Sequence, residues 1–217
     1  MLVVGTGTIG EPLIGLLSDF KEELSIRVFF HKRTPLLDER AKVNSLVKRG
    51  ANLVVDQDKQ DDFRKLGHDP ATTSGLAFDL ADVIIDCTPA GNENKENIYE
   101  ALNNQKYCAT KDKKKTFIAQ GSEKGFGLPY AFGINDAALA KNETGYVQVV
   151  SCNTHNICSL VKTLSAGDVD KNFVSGDFTC IRRANDISQN GSFIASPQVG
   201  SHGDNVFGTH HAKDAHD

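Results

Sequence analysis

Over its first 150 residues the chain alternates short apolar runs with stretches of helical periodicity. Leu2–Val4 is a short apolar, β-like run that leads into GTGTIG, and an apolar-periodic helix is expected from about residue 12 to 17. Residues 25–30 (SIRVFF) read as a second strand, residues 37–48 as a helix and Asn52–Val55 as a third strand. Val83–Asp86 is a strand that ends in a turn, residues 97–104 are helical, and TFIAQGSEKG is a strand that runs into another glycine turn. The polar stretch 56–73 suggests no definite element. Strands alternating with helices imply right-handed crossovers and a parallel sheet. After Val150 the pattern changes: one helix over residues 153–164 precedes strand-like runs at 173–183 and 192–199 with no regular helix between them. The expected organisation is a doubly wound α/β domain over residues 1–150, followed by the beginning of an α+β domain over residues 151–217.

Chemistry enters first at GTGTIG, which sets Gly5, Gly7 and Gly10 in GxGxxG spacing. The first glycine permits a tight turn, the second lets a pyrophosphate approach the backbone, and the third lets helix pack on strand. The helix N-terminus then offers amides and a positive dipole end to the phosphates. Following a strand and opening a helix, the motif points to a Rossmann-type dinucleotide site. Glu11 opposes this by adding a negative charge in the first turn. An NAD site would carry an acid about 20 residues past the glycines. Here HKRTP supplies Lys32, Arg33 and Thr34 instead, which suit the 2′-phosphate of NADP. The competing reading of those residues is a basic surface turn.

The stretch VVSCNTHNIC raises a second candidate. Cys152 follows a strand and opens a helix pattern, where amides and the helix dipole favour a thiolate. The pattern alone leaves it open between a reactive thiol and a packed one. Cys158, inside the helix, and Cys87 and Cys180, in apolar runs, read as packed.

Composition narrows the classes. The chain has 217 residues, 39% apolar and 24% charged, enough for one large domain or two modest ones. A net charge of −4 offers no basic field for nucleic acid or an anionic membrane. No apolar run approaches the ~20 residues that span a bilayer, and the N-terminus lacks a signal-peptide pattern. Five cysteines with no CxxC pair then suggest reduced thiols and a cytoplasmic location. The run KDKKK at residues 111–115 reads as a solvated loop.

GTGTIG, VIIDCTPAG, FIAQGSEK, VVSCNTHNIC, IRRAND and THHAKD, in this order, resemble the archaeal-type phosphorylating glyceraldehyde-3-phosphate dehydrogenases. The resemblance implies a nucleotide domain followed by a catalytic domain, in a homotetramer that takes NADP and often NAD. It implies that Cys152 is the nucleophile, that Ser151 and Asn153 contact substrate beside it, and that His210 and His211 form a substrate-contacting pair. It further implies that Thr8, Ile9, Gly121 and Arg183 contact the cofactor. The histidines could instead join His216, Asp214 and Asp217 in a zinc site, but HHAKD fits the resemblance and no metal is expected.

By that resemblance, the Cys152 thiolate would attack glyceraldehyde 3-phosphate, and inorganic phosphate would release 1,3-bisphosphoglycerate from the resulting thioester. A semialdehyde-type dehydrogenase and an inactive NADP-binding module are the alternatives. The sequence departs from the resemblance in three ways. Glu11 and Pro12 stand where basic residues are usual. The first strand is very short. No histidine matches the general base, so the chain reads as a fragment whose own activity is expected to be low.

Overall fold

The computed structural model describes residues 1–104, 115–120, 125–141, 145–179 and 208–216. The chain divides into two compact units. One comprises Met1–Ala119, Glu123–Gly127 and Thr144–Val147; the other comprises Gln120–Ser122, Leu128–Glu143 and Gln148–Asp217.

The first unit opens with β1 (Leu2–Val4), α1 (Gly10–Asp19), β2 (Phe29–His31), α2 (Arg40–Lys48) and β3 (Asn52–Val55). A 3-10 turn, Gln57–Lys59, leads into α3 (Gln60–Lys65), β4 (Thr72–Thr73), α4 (Ser74–Leu80) and β5 (Val83–Asp86). Next comes α5 (Gly91–Asn94), which passes through a π-helical turn, Lys95–Tyr99, into α6 (Glu100–Asn104) and β6 (Thr116–Gln120). The strands lie in the order β4-β3-β2-β1-β5-β6, and all five neighbouring pairs are parallel.

Side-chain alternation assigns the two faces. Val3, Leu53, Val55 and Ile85 pack against Ile14 of α1, Val43 and Leu46 of α2 and Phe63 of α3. Leu2, Val4, Val54 and Ile84 pack with Ala77 of α4, Tyr99 and Phe117. Both faces are covered, so these strands read as continuous apolar runs. Fully burying each such Val, Leu or Ile side chain contributes about 1.5–3 kcal/mol. On the second face Tyr99 stacks on Phe117 at 5.1 Å and Phe117 on Tyr146 at 4.9 Å, and Phe126 meets the edge of both tyrosines. This is the doubly wound α/β fold that the alternation of elements predicts.

The order of strands reverses at β1. The chain builds outward through β2, β3 and β4, then returns to place β5 on the other side of β1. The crevice beyond the carboxyl ends of β1 and β5 is therefore the topological switch point, where open α/β sheets bind ligands.

The second unit carries β7 (Leu128–Tyr130), the 3-10 helix Asp136–Lys141, the end of β8 (Tyr146–Val149), α7 (Cys152–Leu164), α8 (Val169–Asn172) and α9 (His210–His216). The strand expected over residues 173–183 is absent from its described part: residues 173–179 are irregular, and Val174 is 98% exposed. The apolar alternation there meets no partner strand among the described residues. The run at 192–199 lies outside them. No helix of the described residues is long and apolar enough to cross a membrane.

Two other boundaries move. The strand expected at 25–30 is confined to Phe29–His31, because Ser25 takes a positive φ of 52° in the turn that follows α1. The helix expected from 37 starts at Arg40, because Leu36 and Leu37 form an exposed turn in which Glu39 N–H donates to Leu36 O and Arg40 N–H to Leu37 O.

The glycines of the first turn are not equivalent. A Cβ on Gly10 would collide with the Gly5 carbonyl group, with the carbonyl carbon 2.9 Å away, whereas one on Gly7 meets nothing within 4 Å. Gly10→Ala is expected to lower stability by about 1–3 kcal/mol through overpacking, and Gly7→Ala to stay within about 0.5 kcal/mol of the parent. Urea unfolding of the two variants measures this, and equal midpoints would contradict it.

Candidate functional site

In the first unit, Gly5 through Ile9 form the turn from β1 into α1. Gly5 has φ +93° and its N–H donates to His31 O at 3.2 Å, which ties the turn to the end of β2. Gly7, Thr8 and Ile9 are exposed, and Gly10 is buried as the first residue of α1. Ile9 occupies the N-cap of α1 and has no side-chain acceptor, so a residue that usually occupies amides at a helix start is lacking there. An open Gly7, an apolar N-cap and a ten-residue helix make a backbone cradle suited to a phosphate.

The neighbouring wall comes from the end of β5. Asp86 is 1% exposed, and its carboxylate accepts from Thr88 N–H at 2.8 Å, Thr88 Oγ1 at 2.6 Å, Asn94 Nδ2 at 2.7 Å and Tyr99 OH at 2.6 Å. Four donors on one buried carboxylate lock the turn that follows β5. That turn presses on the glycines: a Cβ at Gly5 would stand 3.0 Å from Thr88 Cγ2 and 3.3 Å from the Cys87 carbonyl carbon. Burial pushes the Cys87 thiol up to about 12, with the Asp86 charge adding to the effect, so this cysteine is a core thiol. Sequence reasoning did not single out Asp86. The one signal was an acid closing an otherwise apolar strand.

The basic residues after β2 take different environments. Arg33 and Thr34 are exposed, whereas Lys32 is only 6% exposed and forms an ion pair with Glu39. Glu39 also receives Lys42 Nζ at 2.7 Å, and Lys42 lies 3.6 Å from the Glu11 carboxylate. The first-turn acid beside the glycines thus has a counter-charge. Lys42 and Glu39 were likewise missed, since neither stands in a local motif.

The second unit holds the cysteine site. Ser151, not Cys152, is the N-cap of α7: its φ of −62° and ψ of 155° are extended, and its hydroxyl accepts from Thr154 N–H at 3.3 Å. Cys152 is the first residue of the helix and is exposed. The His211 ring, from α9, lies against this helix start, with Nδ1 3.0 Å from Ser151 Oγ and 3.4 Å from Thr154 Oγ1, and Nε2 3.2 Å from Asn153 Nδ2. His211, about 60 positions further along the chain, thus reaches Ser151 and Asn153, the two residues that flank Cys152 in sequence. His210 opens α9. His155 faces Phe132 O at 3.0 Å, and Cys158 is half-buried with its thiol pushed up by burial. Gly121, Arg183 and Cys180 lie outside the described residues. Among the described residues no group of three or more His, Cys, Asp or Glu could hold a metal ion.

No protein-family model matches the chain. The chain is 33% identical over 168 residues to the glyceraldehyde-3-phosphate dehydrogenase of Pyrobaculum islandicum, covering 75% of this chain and 43% of that protein. It is 32% identical over 173 residues to the enzyme of that name from Pyrobaculum neutrophilum, covering 77% and 44%. For that of Methanobacterium formicicum the identity is 30% over 166 residues, covering 74% and 44%. The chain spans less than half the length of these relatives. By sequence, over about three quarters of its own length, it is similar to the glyceraldehyde-3-phosphate dehydrogenases.

Proposed function

We propose that this chain carries the nucleotide-binding part and the cysteine site of an NAD(P)-dependent glyceraldehyde-3-phosphate dehydrogenase. The observation that carries this reading is the reach of His211, from a distant helix, to Ser151 and Asn153 on either side of the exposed first residue of α7, Cys152.

In this reading the glycine turn and the start of α1 hold the pyrophosphate, with Thr8 and Ile9 beside it, and Lys32, Arg33 and Thr34 border the adenosine ribose. The bound nicotinamide supplies a hydride acceptor. The Cys152 sulfur attacks the aldehyde carbon, forming a C–S bond, and the carbonyl oxygen takes up a proton to give a hemithioacetal. Loss of hydride from that carbon, and of the hydroxyl proton to a base, leaves an acyl thioester on Cys152. Inorganic phosphate then attacks the thioester carbon, expels the thiolate and leaves as 1,3-bisphosphoglycerate. Ser151 and Asn153, fixed by His211, offer polar groups to the substrate's oxygens. The homotetramer implied by the sequence resemblance belongs to the same reading.

Two outcomes are expected. Iodoacetamide should label Cys152 before Cys158 and Cys87, because Cys152 is exposed whereas burial raises the other two thiols. Glyceraldehyde 3-phosphate should slow the labelling of Cys152 and leave that of Cys158 unchanged, as read by timed peptide mapping. Protection by aspartate semialdehyde instead would favour a semialdehyde-type enzyme, and labelling of Cys87 first would return Cys152 to a structural role. Separately, calorimetric titration should find NADP bound more tightly than NAD. Arg33→Ala should weaken NADP binding by about 1.5–3 kcal/mol, the worth of a charge-assisted hydrogen bond, and leave NAD unchanged. Equal affinities in the unmodified chain would contradict this.

A further inference from the structure

Lys32 follows β2 and is 6% exposed, a degree of burial that a lysine rarely reaches without a partner. Its partner is Glu39, at the N-cap of α2. The other oxygen of Glu39 accepts from Lys42 Nζ at 2.7 Å, in the first turn of α2. Lys42 in turn donates to the Thr6 carbonyl at 3.3 Å, inside the glycine turn, and stands 3.6 Å from Glu11. Two lysines and two glutamates thus form a continuous chain from the end of β2 to the glycine turn, and Glu39 joins its two lysines. Burial alone would push the Glu39 carboxyl up, but hydrogen bonds from Lys32 and Lys42 outweigh it and hold the group below its ordinary range. Glu39 is therefore charged at neutral pH.

An acid at the end of the second strand accepts ribose hydroxyls and repels a 2′-phosphate. Within the strand no acid is present, but Glu39 brings a carboxylate to Lys32 from the following helix. We propose that Glu39 is a specificity-determining residue of the dinucleotide site: it withholds Lys32 and Lys42 from a 2′-phosphate and keeps the preference for NADP over NAD small. The proposal rests on the dinucleotide reading of Gly5–Gly10. An ammonium already engaged by a carboxylate can turn to a phosphate only by leaving that carboxylate uncompensated. The exposed Arg33 is then left to meet the 2′-phosphate.

The test is calorimetric titration of NADP and NAD into the unmodified chain, Glu39→Gln and Lys42→Met, with thermal melts to show that each is folded. Glutamine keeps an acceptor for Lys32 and removes the charge. The ratio of NADP to NAD affinity should rise about tenfold in Glu39→Gln, or about 1.4 kcal/mol. It should fall several-fold in Lys42→Met, where Glu39 keeps a single counter-charge. If Glu39→Gln does not fold, Lys42→Met decides: an unchanged ratio overturns the proposal. Ratios unchanged in both variants, with both dinucleotides still bound, overturn the role of Glu39 and leave the dinucleotide reading standing. A folded unmodified chain that binds neither dinucleotide overturns both.

Discussion

The first unit depends on one close approach. The end of β1 and the start of α1 meet so tightly that the Gly10 backbone packs on the Gly5 carbonyl group, with no room for a Cβ between them. This contact fixes the angle at which α1 leaves the sheet, and so where its N-terminal amides point. β1 is held on one side by β2 and on the other by β5, all in parallel register. The turn after β5 closes the other side of the glycines through Thr88 and Cys87. Asp86 keeps that turn in place with a carboxylate that four donors share. The switch point of the sheet and the glycine turn are thus one rigid assembly, and candidate phosphate binding follows from the packing.

The cysteine site is built by a different device. Ser151 ends an extended segment and caps α7, which puts Cys152 at the first helical position with its side chain exposed. His211 reaches Ser151, Thr154 and Asn153 from another helix. Its ring bridges the cap hydroxyl and the side-chain amide two residues later, so one side chain holds the polar groups of the residues before and after Cys152.

Much of this was legible in the sequence where local rules suffice. Asn52–Val55 and Val83–Asp86 read as strands because both faces are buried and the runs are continuously apolar. GTGTIG carried its own geometry, since spacing alone separates the glycine that must pack from the one that must stay open. SCNT, in turn, marked the helix start to within one residue. Elsewhere the outcome depends on distant partners. The polar stretch 56–73 hides α3 and β4, and α4 follows it without a signal of its own, because buried residues such as Phe63 and Ala77 are too widely spaced to form a pattern. The burial of Lys32 depends on where α2 begins, because that places Glu39 beside it. Likewise Asp86 gains its importance only from Tyr99 and Asn94, residues that reach it from the following helical segment.

Dinucleotide binding at the turn from β1 to α1, as proposed above, can be watched by titrating the isotope-labelled chain with NADP and following amide chemical shifts in two-dimensional NMR. The largest shifts are expected on Gly7, Thr8, Ile9 and Glu11, with a second group at Arg33 and Thr34. Shifts that leave the glycine turn untouched while the ligand binds elsewhere would contradict it.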